Sequence, residues 1–130
     1  MALQDFINGY LTCAIWSSNN WDNVVGDNPE PLDKTHSIED IAPQTLAGLT
    51  AECQTFYEAN NHLWHDLKRG EWSADELAGH DFWLTRNGHG TGFWDRGIEH
   101  GKELTKLCKA YKEIDLYVGD DNQIYAGGFE

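Results

Sequence analysis

The hydrophobic period changes along this chain, and that change constrains the fold more than any other feature. Residues 2–16 place Leu3, Phe6, Ile7, Tyr10, Leu11 and Ile15 on one side at three- and four-residue spacing, which predicts a helix in spite of Gly9. Pro43 suits the first turn of a second helix, and Leu46, Leu49, Cys53, Phe56, Asn60 and Leu63 then repeat at helical spacing over 43–66. Residues 98–112 regain the period: Leu104, Leu107, Cys108 and Tyr111 form the stripe to be buried, with Lys102, Lys106 and Lys109 on the opposite, solvated side. Ser73 with Glu76 makes a capping box, which opens a short helix near 74–79; Ser37 with Asp40 is a looser version.

Elsewhere the pattern shortens. His80 to Arg86 is aromatic and β-branched enough for a strand, Asn87-Gly88-His89-Gly90 is turn chemistry, and Thr91 to Asp95 can return antiparallel. In that register Trp83 faces Trp94, Leu84 faces Phe93 and Asp81 faces Arg96, pairs worth about 0.2–1 kcal/mol each. Residues 114–118 and 123–126, joined by Gly119-Asp120-Asp121-Asn122, read as a second hairpin. Residues 17–36 hold two prolines and no sustained period, and read as a long acidic loop pinned in part by Trp21, Val24 and Val25. The expectation is one α+β domain over 1–130. Three main helices and a short one pack on a small antiparallel sheet built from two hairpins, about 82–95 and 114–126.

Composition narrows the function classes. A chain of 130 residues buries roughly two-thirds of its unfolded surface, and 40% hydrophobic residues with six tryptophans exclude wholesale disorder. No apolar run approaches the roughly 18 residues of a membrane span. Nine basic against 22 acidic residues give a net charge of −13. Residues 1–67 carry ten acids and a single base, Lys34, hence −9. Such a field repels phosphates and anionic lipid, so direct nucleic-acid or membrane binding is not expected; the favoured partner is a protein with a basic surface. Asp22, Asp27, Glu30, Asp33, Glu39 and Asp40 are the candidate binding acids, and His89, at a turn tip, a candidate epitope. A compact domain of this length is about 36 Å across. Duplex DNA of that length carries about 21 charges, so imitation of DNA by one copy is partial at most. Cys13, Cys53 and Cys108 stand at no CxxC spacing and read as reduced core residues of a cytoplasmic protein; the amino terminus lacks the pattern of a signal peptide.

The enzyme-like constellation is Asp81, Arg86, His89 and Asp95: a base, an anion clamp and a titratable imidazole. It would suit a small hydrolase acting on a nucleotide or small molecule. The same four residues also read as structural ion pairs of a rigid hairpin. His62 and His65 share a helix face and are candidate metal ligands, but two imidazoles leave most of a coordination sphere empty, and a surface pair explains them as well. Asp120-Asp121-Asn122 lacks the twelve-residue spacing of a calcium loop and reads as a turn. No cofactor is expected.

The stretch from Gly79 to Gly97, GHDFWLTRNGHGTGFWDRG, resembles a signature of small uncharacterised accessory proteins encoded by bacteriophages and mobile elements. The similarity extends to Tyr10-Leu11-Thr12 with Ala14 and Trp16, to Ile38–Pro43 and to Leu116–Asp121. It implies an accessory role in the cytoplasm of an infected bacterium and no particular chemistry. The expected function is therefore binding of a host or phage protein with a basic surface, as an inhibitor or partial nucleic-acid mimic. The small hydrolase is one alternative and a minor virion protein another.

Overall fold

The computed structural model describes residues 2–130, with Asp22–Val25 as backbone only. In chain order the elements are α1 (Ala2–Trp16), β1 (Asn19–Val25), β2 (Asn28–Pro31), α2 (Pro43–Asn60), α3 (Ala74–Arg86), α4 (Gly101–Lys109), β3 (Leu116–Val118) and β4 (Ile124–Ala126). Short 3-10 turns lie at Leu32–Lys34, Ile38–Asp40, Asn61–Trp64 and Phe93–Asp95. The fold is α+β, with helices packed on small antiparallel sheets.

Helices α1 and α3 form the frame. Their backbones touch at two reciprocal glycines. A Cβ on Gly9 would stand 2.0 Å from the carbonyl oxygen of Glu76, and one on Gly79 would stand 2.0 Å from that of Phe6. Only glycine fits either place. The close crossing lets Phe6 and Tyr10 of α1 reach Phe82 and Trp83 of α3, with ring centroids 5.2 Å apart for Tyr10–Phe82. Helix α2 adds Phe56, stacked on Phe82 at 4.1 Å, and the turn after it adds Trp64, stacked on Phe6 at 5.3 Å. The Trp64 indole N–H donates to Asp75 Oδ1 at 2.9 Å, so this buried ring leaves no polar atom unsatisfied.

The expected hairpin at 82–95 does not form. Ser73 accepts the backbone N–H of Glu76 and starts a helix that runs through Gly79 to Arg86. Ala78, Gly79 and every residue from Asp81 to Arg86 are buried. A helix enclosed on nearly all sides shows no polar face, and its residues cannot be told from a buried strand by period. Trp83 and Trp94 are not partners: Trp83 donates to Ser17 Oγ at 2.8 Å, while Trp94 is exposed. Asp81 and Arg96 do meet, from the flank of α3 rather than across a ladder. Asn87 and Gly88, at φ +67°, end the helix, and the chain turns to place Phe93 N–H on Thr85 Oγ1 at 3.1 Å.

The second and last main helices and the second hairpin are present with adjusted limits. The helix over 43–66 closes at Asn60 and continues as a 3-10 turn, and that over 98–112 contracts to Gly101–Lys109. Lys102, Lys106 and Lys109 are exposed. The hairpin at 114–126 is present, with Tyr117 opposite Tyr125, and Ile124 also bridges to Ile41. Asn122 takes φ +66° in its turn, so Asp120–Asn122 is turn backbone as read.

Residues 17–36 are not a loop: β1 and β2 pair antiparallel, with an irregularity between Asn20 and Val24. Pro29 and Pro31 on β2 belong to a two-stranded ribbon, where a missing N–H is tolerated at an edge. Trp21, expected to pin the segment, is 70% exposed; Leu32 pins it instead, fully buried, with its N–H on Ser18 O at 2.9 Å. The side chains of Val24 and Val25 lie outside the described residues. Among the described residues no helix is long and apolar enough to cross a membrane.

Candidate functional site

Two of the four enzyme-like residues are buried and committed to ion-pair partners. Asp81, 2% exposed, receives both Nε and Nη2 of Arg96, at 2.9 and 2.7 Å. Arg86, 4% exposed, donates to Glu52 Oε1 at 2.7 Å, to the Tyr10 hydroxyl at 3.1 Å, and to the carbonyls of Tyr111 and Lys112 at 2.9 Å each. Its guanidinium also lies 5.6 Å from the ring centres of Phe82 and Tyr111. Burial opposes the charge on Arg86, but Tyr10 and Glu52 outweigh it and hold the group above its usual value. Four of the five N–H groups of the fork are engaged, and the side chain is buried, so Arg86 is not open to a substrate anion.

Asp95 is exposed and closes its own turn, accepting from Gly92 N–H at 3.1 Å and from the Thr91 hydroxyl at 3.0 Å. Partial burial opposes its charge; those bonds and Arg96 prevail and keep it below the ordinary carboxylate value. His89 is exposed. With Asn87 it borders a cavity of about 460 Å³ that also touches Ser17, Trp21, Glu113 and Tyr117. Asn87 itself is structural, accepting Ile114 N–H at 2.8 Å.

His62 and His65 are both exposed, and among the described residues no three metal-ligating side chains form a group. Cys13, Cys53 and Cys108 are buried as free thiols; burial pushes Cys13 up to about 12 and raises the other two likewise, so none is a nucleophile at neutral pH.

The acidic candidates lie along the β1–β2 ribbon and the segment after it. Asp27, Asp33 and Glu39 are exposed, and Glu30 and Asp40 half-buried; the Asp22 side chain lies outside the described residues. Asp40 accepts Ser37 N–H at 2.8 Å, and Glu39 accepts the Ser37 hydroxyl at 2.7 Å, a bond that holds Glu39 below its ordinary value.

Beside these acids is a groove of about 560 Å³, between the C-terminal end of α1, residues 33–39 and the start of α3. Its walls are the rings of Trp16 and Trp72, 59% and 49% exposed, each packed against His80 with centroids 5.9 and 6.4 Å apart. Asp33 and Glu39 also border it. The same three rings continue into a smaller recess bordered by Arg69, Leu77 and Arg96.

His80 lies at the centre of this surface. Burial lowers its pKa; Asp81 opposes the shift, and Arg96 and Arg69 reinforce it. The unfolded chain therefore takes up the proton first as pH falls. The stability His80 contributes is complete above its unfolded value of about 6.5 and is lost on acidification through that value toward the lower folded one. Urea midpoints should accordingly fall more steeply between neutral and mildly acidic pH in the wild type than in His80→Gln. Parallel pH dependences would show that His80 is not desolvated.

No family model, curated protein or solved structure matches the chain. The site is thus read from its own geometry. Sequence reasoning named its acids but missed Trp16, Trp72 and His80. The available signal was the tryptophan count: six is more than one small core absorbs, and four of them are exposed.

Proposed function

We propose that this protein acts by binding, as a small acidic accessory protein of bacteriophage type whose target is a host or phage protein with a basic surface, met in the cytoplasm of the infected bacterium. One observation carries the reading: the exposed rings of Trp16 and Trp72 border the same groove as the carboxylates of Asp33 and Glu39. Tryptophan left in water forgoes its hydrophobic stabilisation, and it is the residue type most enriched among interface anchors. The acids supply long-range attraction, and the rings supply area to bury. The resemblance of residues 79–97 to phage accessory proteins supports the setting. The hydrolase reading ranks below this one because Asp81 and Arg86 are held in separate ion pairs.

The test is association with a captured basic partner as salt rises. The triple variant Asp27→Asn, Asp33→Asn, Glu39→Gln should slow association by about tenfold at low salt and little at high salt, with dissociation nearly unchanged. A partner whose association is indifferent to salt and to the three acids removes the proposal.

A further inference from the structure

The groove at Trp16, Trp72 and His80 has a more specific chemistry than an apolar cleft. Four aromatic rings border it: Trp16 and Trp72 are held against His80, and His36 is tied to Thr35 and Asn122; the two carboxylates of its lining, Asp33 and Glu39, both face solvent. Aromatic faces attract cations through the ring quadrupole, and tryptophan does so best. A guanidinium is planar and weakly hydrated; it stacks on rings while its fork engages a carboxylate in two parallel bonds. A nucleobase would also stack, but its phosphate would meet Asp33 and Glu39 on a protein of charge −13.

We infer that this groove is an arginine-binding cage: Trp16, Trp72 and His80 stack on the guanidinium of an arginine presented by the partner, and Asp33 and Glu39 accept its N–H groups. The assignment rests on the binding function proposed above and gives it an anchor. The smaller recess beyond the rings, with Arg69 at its edge and Arg96 already paired to Asp81, leaves room for the carbonyl side of the partner's backbone.

The experiment uses the full chain with tryptophan-labelled indoles observed by NMR. The probes are acetyl-Gly-Arg-Gly-amide, its citrulline counterpart of the same shape without charge, and adenosine monophosphate. The arginine peptide should shift the Trp16 and Trp72 indole N–H signals saturably at millimolar concentration and leave Trp64 and Trp83 in place. The citrulline peptide should bind at least about tenfold more weakly, since it keeps the stacking and loses the charge. Trp72→Ala, at an exposed position, should abolish the shift at Trp16, and the Asp33→Asn, Glu39→Gln pair should weaken the arginine peptide by about tenfold with the citrulline peptide unaffected.

Equal binding of the two peptides, or a stronger response to adenosine monophosphate at the same two indoles, overturns the cage. The two proposals fail separately. A basic partner held in a salt-sensitive way by a protein whose indoles ignore the arginine peptide leaves the binding function standing and removes the cage. Salt-indifferent capture removes the function, even where the free peptide binds.

Discussion

Gly79→Ala is expected to destabilise the protein by about 3 kcal/mol or more, against the sign that helix propensity alone would give. In an open helix the same change gains about 1 kcal/mol. Here the new methyl would stand 2.0 Å from Phe6 O and 2.9 Å from both Phe6 C and Tyr10 N, all backbone atoms of α1. A flexible side chain could step aside; a hydrogen-bonded helix cannot. The two helices must separate, and the separation opens the contacts of Phe6 and Tyr10 with Phe82 and Trp83. Overpacking a core typically costs 1–3 kcal/mol, and this case combines it with loss of aromatic contact, hence the upper end of about 3. Gly9→Ala should behave alike, since its methyl would strike Glu76 O from the other side. Gly90→Ala is the control: nothing lies within 4 Å of its Cβ, and the expected change is within about 0.5 kcal/mol. Urea midpoints with unchanged slope measure all three. A stabilised Gly79→Ala would mean that α1 and α3 do not cross at this distance.

The same glycine explains where the sequence could and could not be read. Gly79 reads as the end of a short helix because a mid-helix glycine is costly unless something requires it; what requires it is a helix distant in sequence. Beyond it, residues 81–86 are all buried, so amphipathic period, the quantity that reveals α1 and α2, is missing. Helices with one wet face were legible to within a few residues, and so was the hairpin at 114–126, whose Gly119–Asn122 turn announces itself. The hairpin at 19–31 was not, because asparagines and prolines replace the alternating apolar residues that mark a strand.

The site divides in the same way. Asp33 and Glu39 were legible because charge accumulates in sequence: the first 67 residues hold one base. The rings were not, because Trp16 closes α1, Trp72 precedes the cap of α3 and His80 sits about two turns after it, and only the crossing of those helices makes them one surface. The Arg86 cluster was half legible. Its composition suggested chemistry, but its burial could not be known before Glu52, Tyr10 and Tyr111 were seen around it.

Arg86→Met should cost about 3–5 kcal/mol, the range for removing one member of a buried ion pair. The methionine fills most of the volume and satisfies nothing. It strands the Glu52 carboxylate, the Tyr10 hydroxyl and two carbonyls that Arg86 now serves, one of them on Lys112 at φ +66°. Glu52 keeps partial access to water, with a quarter of its side chain exposed, so part of its solvation returns and the expected loss lies nearer the lower bound of about 3. Glu52→Gln is the informative companion. It keeps an acceptor facing Arg86 and should cost only about 1 kcal/mol, the worth of an ordinary hydrogen bond. Denaturation of the pair measures this asymmetry. Partner binding, measured on the folded fraction, should be unchanged in both, because neither residue borders the Trp16–Trp72 groove. An Arg86→Met protein of nearly wild-type stability that had lost its function would reverse the assignment, placing Arg86 in the working site rather than in the scaffold.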